Sequence, residues 1–450
     1  MELTTVPALQ LKGVIELSAD AIYMQTIIAG LVMVGAYAVG KFLKFSTELC
    51  MFVAVIGGAI AGGAGFDTFR HIAEGSVTYL DIGLIFVFAT IFMNIIKESG
   101  GTNYIVRKII GAFHNKRILM LILLMLVILV PGALTGAGSI SVLVVGGTVA
   151  AALNAMGLSK VRISALIFIV AGLSAAAPPV NIWAMMTCAG TAIPYVGFTM
   201  PLLVPVLILG LLSVLFFGRG ARNIDKEKAL KEIPDPKGLS GWSVAVPFLV
   251  LIFLLGAPRI WPFGFPVLGL PLVFAICTLV AWLMNFKRVN ILKVSRETVA
   301  QLTPLIATTA VVGMLIQVMS FNGVKGLISM WIVTAPLAIV WMLLPFIIPI
   351  SEGLLTYGGA MVIGIPLMWM LNSNGINPVI VLAGLSLLWP LGDGLPPTAL
   401  IGRLTVSTVG YKGSYGSFLK ECVVPWIAIT VVAMILVIFA NKFNFLMMVG

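Results

Sequence analysis

The chain has 450 residues, 60% of them hydrophobic and only 10% charged, with a formal net charge of +11 and a mean hydropathy of +1.14. No water-soluble domain has this composition, so the sequence reads as an all-α, polytopic membrane protein. The positive charge sits in short loops between apolar runs, which argues against a nucleic-acid partner; Cys50, Cys188, Cys277 and Cys422 stand apart in apolar segments and His71 and His114 lack companions at ligand spacing, so neither disulfides nor a transition-metal site is expected.

In chain order, apolar length predicts spans at 22–40 and 48–64, joined through Lys41 to Thr47, and at 79–98. No basic stretch or small-x-small cleavage pattern marks a signal peptide before the first span. A basic stretch follows the third span (Lys97, Arg107, Lys108, Lys116, Arg117). Residues 118–158 are apolar but interrupted at Pro131-Gly132 and at Thr135-Gly136-Ala137-Gly138-Ser139. With Lys160 and Arg162 beyond them, both flanks are basic and both are expected in the cytoplasm. Two forms fit: two full spans with an outer turn, or a re-entrant hairpin whose tip stops inside the membrane. A tip of Gly, Ser and Thr suits a polar cavity better than lipid, and the hairpin is preferred. Residues 163–195 then form a helix broken at Ala177-Pro178-Pro179, since each proline removes a helix N–H and clashes with the preceding turn. A span at 200–218 leads into a hydrophilic cytoplasmic linker, 219–241.

The second half repeats the first. Spans are expected at 243–257, 268–286 and 300–318, a hairpin at 334–372 with its tip near Glu352–Gly359, a broken helix at 378–411, and a last span at 421–441. Residues 131–187 lie on 349–405 at a constant offset of 218: Pro131 on Pro349, Gly146 on Gly364, Asn154 on Asn372, Pro178-Pro179 on Pro396-Pro397, Thr187 on Thr405. The domains are therefore a first repeat, 1–218, the linker, and a second repeat, 242–450. The basic loop from Lys287 to Arg296 puts the start of 300–318 inside, opposite to its counterpart at 79–98, so the repeats are inverted in the membrane. Both termini are then expected outside, across a cell inner (plasma) membrane.

Four broken pieces should meet at the midplane, where unwound helices expose carbonyls for a small hard cation and helix N-termini for an anion. The candidate substrate ligands are Thr135, Ser139, Asn181, Thr356, Thr398 and Arg403. The candidate cation-binding or coupling positions are Gly136, Gly138, Pro178 and Gly358, together with Asp393 and Glu352. A carboxylate inside an apolar run is a functional candidate by default; Asp393 could alternatively pair with Arg403 as a structural brace. No Walker motif, phosphate loop or nucleophile elbow is present, so neither an enzyme nor a cofactor is expected.

The run Leu134-Thr-Gly-Ala-Gly-Ser139, then Asn154-Ala-Met-Gly157 and Ala175-Ala-Ala-Pro-Pro-Val-Asn181, resembles the ion transporter superfamily, most nearly the large membrane subunit of TRAP (tripartite ATP-independent periplasmic) transporters. Ile96-Lys-Glu-Ser-Gly-Gly101 is similar to that superfamily's turn from a span into an arm. The resemblance implies Na⁺-driven elevator movement of organic anions against a scaffold, with a solute-binding protein and a small membrane subunit as partners if the TRAP type holds. The scaffold is expected from spans 22–64, 200–218, 243–286 and 421–441, through which a homodimer could form. The expected function is thus Na⁺-coupled uptake of a small carboxylate. The alternatives kept open are a cation/proton antiporter using Asp393 and, more distantly, an ion channel.

Overall fold

The computed structural model describes residues 19–447. The predicted termini fall outside this range. The described residues are almost wholly helical. Among the described residues, nine helices are long and apolar enough to cross a membrane.

The first half opens with α1 (Ala19–Phe42) and α2 (Thr47–Ala61), then α3 (Asp67–Ser76) and α4 (Leu80–Glu98). Ser46 starts α2 by accepting a hydrogen bond from the Leu49 N–H. Gly100, at φ +87°, turns the chain into α5 (Gly101–Phe113). The basic stretch after the third span is largely this arm helix. The hairpin is α6 (Arg117–Thr135), a short α7 (Gly138–Ser141), a π turn over Val142–Gly146, and α8 (Gly147–Ala155). The broken helix is α9 (Lys160–Ala176) and α10 (Ile182–Thr191), closed by α11 (Thr199–Phe217). The linker carries α12 (Lys226–Glu232).

The second half answers with α13 (Gly241–Ile260), α14 (Leu270–Met284) and α15 (Ile291–Phe321). Gly323, again left-handed at φ +79°, leads into the second arm, α16 (Val324–Thr334). The second hairpin is α17 (Leu337–Leu355), a π turn over Ala360–Gly364 and α18 (Ile365–Ser373). The second broken helix is α19 (Pro378–Gly392) and α20 (Leu400–Val409), closed by α21 (Tyr415–Ile438).

The two π turns differ by the same 218 residues as the proline pairs. Each packs on the other half's second half-helix, Val142–Gly146 on α20 and Ala360–Gly364 on α10. Between the start of α4 and the start of its counterpart α15 lie five crossings: α4, the broken α9–α10, α11, α13 and α14. A hairpin adds an even number. The count is odd, so the repeats are inverted however the hairpin is drawn.

The helices sort into two bodies. α1–α4 and α13–α16 pack mainly among themselves as an outer frame. The hairpins and broken helices form an inner body. This corrects the expected scaffold: α11 and α21 pack on α9 and α19, not on the frame. The reason is visible in α9 and α19, which are buried on almost every face. A helix apolar all round needs neighbours all round, and α11 and α21 supply them.

Candidate functional site

In the first half, the helix stops at Thr135 because Gly136 takes a left-handed φ of +67°, and it resumes at Gly138. A side chain at Gly136 would press on Val180 and Ile182, and one at Gly138 would collide with the Ala171 carbonyl. The tip is buried in protein, with Thr135 fully covered. It also reaches the Pro-Pro break, where the Val180 N–H donates to the Ala133 carbonyl at 3.2 Å. A turn stitched to the middle of a crossing helix does not lie at the outer surface, which decides for the re-entrant hairpin.

The second half uses the same stitch. The Thr398 N–H and Oγ1 both donate to the Gly353 carbonyl, at 3.3 and 3.0 Å. Residues 180 and 398 are repeat equivalents. Both proline pairs, Pro178-Pro179 and Pro396-Pro397, have cis peptide bonds, and Thr356 at the second tip sits at φ +53°.

The structure brings together some of the candidate ligands. A cavity of about 450 Å³ lies between the two bodies. Its inner-body wall carries Ser139, Thr356, Thr398 and Arg403; its frame wall carries Lys41, Ser46, Thr47 and Glu48 from the α1–α2 turn and Gln301 and Thr308 from α15. The Arg403 guanidinium makes no ion pair among the described residues. The Arg403–Asp393 brace offered by the sequence is therefore not formed. Across the cavity, Lys41 Nζ donates to Thr47 Oγ1 at 2.6 Å, and Thr308 Oγ1 donates to Glu48 at 3.0 Å.

Two expected substrate ligands belong elsewhere. Thr135 Oγ1 donates to the Pro131 carbonyl at 2.8 Å. Asn181 bridges the gap in its own helix: Oδ1 accepts from the Ala184 N–H at 2.9 Å, and Nδ2 donates to the Ala176 carbonyl at 2.9 Å. Both side chains are buried away from the cavity because the broken backbone around them uses their hydrogen-bonding capacity. Gly136, Gly138, Pro178 and Gly358 do not line the cavity either. The frame wall was missed by the sequence reading. Lys41 to Thr47 was visible only as a short basic turn, and Thr308 only as a hydroxyl within an apolar span.

Glu352 and Asp393 form a separate feature. Neither faces the cavity; their relative exposures are 0% and 4%. Glu352 is pressed against the break, since a Cβ on Gly392 would lie 2.6 Å from the Glu352 Cβ. Among the described residues, both Glu352 oxygens and Asp393 Oδ1 lack hydrogen-bond partners. The Trp183 indole lies near Glu352 without reaching hydrogen-bond geometry, and its ring packs on Tyr357 at 5.4 Å.

No protein-family model matches the chain, and no curated protein matches it in sequence. Its structure is similar to that of the YdaH transporter of Alcanivorax borkumensis, described as having an unusual topology, with a TM-score of 0.55 at 14% identity over 82% of this chain and 88% of that one. It is also similar to MtrF of Neisseria gonorrhoeae, described within a class of antimetabolite efflux pumps, with a TM-score of 0.60 at 11% identity over 92% and 94%. At such identities the likeness is one of fold, and it is to these two transporters and not to a TRAP subunit. The chain is a multi-pass helical membrane protein with a fold shared by membrane transporters.

Proposed function

We propose that the protein is a secondary active transporter that carries a small organic anion inward, coupled to a cation gradient, by an elevator movement of the inner body against the frame. The observation that carries this reading is the cavity between the bodies. It offers an unpaired guanidinium, a facing ammonium and several hydroxyls, a donor set suited to a carboxylate. Lys41, which lines the cavity, stands in a basic turn that the charge rule assigns to the cytoplasm, which supports reading the cavity as inward-open.

Two almost wholly apolar clefts support sliding. One, of about 270 Å³, separates the second hairpin at Leu354 and Leu355 from α1, α15 and α16. The other, of about 300 Å³, separates the first hairpin at Val127 and Pro131 from α4, α5 and Phe248 of α13. They occupy repeat-equivalent places, and few polar contacts cross them. The likeness to MtrF favours a second reading, export of an organic anion. The two carboxylates keep the cation/proton antiporter reading alive.

The test is a thermal-shift scan of purified protein against small carboxylates, crossed with Na⁺, K⁺ and pH, followed by uptake and efflux in vesicles. A ligand that binds only the folded state raises its stability. A carboxylate that stabilises the wild type but not Arg403→Ala supports the site. Stabilisation by carboxylates that ignores Arg403 would remove it. Cation fluxes with no response to any organic anion would favour the antiporter.

A further inference from the structure

The carboxyl pair lies outside the cavity and is not used by the anion site. It also breaks the internal symmetry. The repeat equivalents of Glu352 and Asp393 are Leu134 and Ala175, so the first hairpin meets its break with no carboxyl group at either position. In the second half the same junction is held close: a side chain on Gly392 would collide with the Pro349 carbonyl and crowd Glu352. Glu352 is in the hairpin arm, and Asp393 is the first residue of the break. The fold sets the two acids on either side of the point where hairpin and break touch, Glu352 against Gly392 and Asp393 next in sequence to it.

The surroundings supply no compensating charge. Asp393 is the carboxylate within electrostatic reach of Glu352. The tip contributes Tyr357, and α21 contributes Tyr415, whose hydroxyl already donates to the Gly394 carbonyl at 2.8 Å. From α2, Glu48 is held by Thr308, and Cys50 adds no positive charge. Arg403 acts on Tyr415 and lines the cavity. The element α10 contributes Trp183, which is neutral. While the junction is closed, two ionised carboxylates buried there with no neighbouring cation are far too costly to coexist. A carboxylate only accepts hydrogen bonds; a carboxylic acid can also donate one.

We propose that Glu352 and Asp393 share one exchangeable proton, and that this proton clamps the second hairpin onto its break. With the proton present, the O–H of one acid donates to a carboxylate oxygen of the other, and the junction closes. When the proton leaves to water, both groups are anionic, they repel, and the hairpin is released where its Gly353 carbonyl accepts from Thr398. This rests on the transporter reading above and deepens it by naming H⁺ as the coupling ion, carried at one site in the second repeat.

The experiment is infrared difference spectroscopy of the full-length protein in lipid vesicles, stepped from low to high pH without substrate. The expected result is a protonated-carboxyl C=O band that disappears as pH rises and is lost in the double variant Glu352→Gln, Asp393→Asn. If that variant fails to fold, the wild type decides: the band must shift when glutamate or aspartate carboxyls are labelled with ¹³C. A band that survives in the folded double variant or ignores both labels overturns the proposal. So does the absence of any such band, and so does stabilisation by Na⁺ that needs these two residues. No anion is involved, so failure here leaves the Arg403 cavity untouched. Failure of anion binding likewise leaves this result standing.

Discussion

Arg403 and Asn181 entered on similar grounds, as polar residues beside a Pro-Pro break, and the structure gives them opposite duties. Arg403 faces the cavity, with no ion partner among the described residues. Its removal should leave folding intact and weaken anion binding by roughly 10- to 100-fold, the range for a hydrogen bond to a charged group. Arg403→Lys should recover only part of this, since the planar two-pronged contact is lost; ligand titration by thermal shift checks both. Asn181 holds two half-helices together through both ends of its amide. Asn181→Ala should cost about 1–3 kcal/mol of stability, as a lost buried cap does, seen as a lower melting temperature in every ion condition. A variant that melts normally but loses its response to Na⁺ would return Asn181 to the ligand list. Sequence could flag both residues but could not assign their duties, because a helix break needs polar groups to satisfy its own backbone as much as a ligand does.

At the scale of elements, the breaks, hairpins and most spans were legible, because proline, glycine and apolar length act locally. The first arm, α5, was signalled only through the Ile96–Gly101 resemblance, and α16 was missed, because a short helix between spans resembles a loop; the left-handed Gly100 and Gly323 open both. The π turns left no local signal. Helix contacts at these elements are tight enough to test. Gly392→Ala would drive a methyl into the Pro349 carbonyl at the hairpin–break junction. It should cost about 1–3 kcal/mol, the range for overpacking. Gly147→Ala, in α8 of the first half, meets nothing within 4 Å and should be neutral or gain up to about 1 kcal/mol from helix propensity. Melting curves of the two variants side by side separate close packing from a general effect of adding a methyl. Equal shifts would mean the junction is looser than its geometry implies.

For the whole molecule, the inverted repeat was readable because the proline pairs and the charge of the loops are independent signals that agree. The partition into bodies was not readable, since α11 and α21 look like any other apolar span and only the all-round burial of α9 and α19 claims them. This partition makes the elevator reading testable. The cavity has Leu305 of α15 on one wall and Leu404 of α20 on the other. Single cysteines at both, joined by a cleavable bifunctional maleimide, would tie the bodies together. The four native cysteines are buried and serve as the unreacted background. Movement of one body against the other requires that vesicle transport falls to background after linking and returns on cleavage. Anion binding in the thermal-shift assay should persist in the linked protein, because the link spans the cavity without removing Arg403. Full transport in a fully linked sample would show that the bodies stay fixed. Access would then alternate through the hairpin tips alone, at Thr135–Gly138 and Leu355–Gly358.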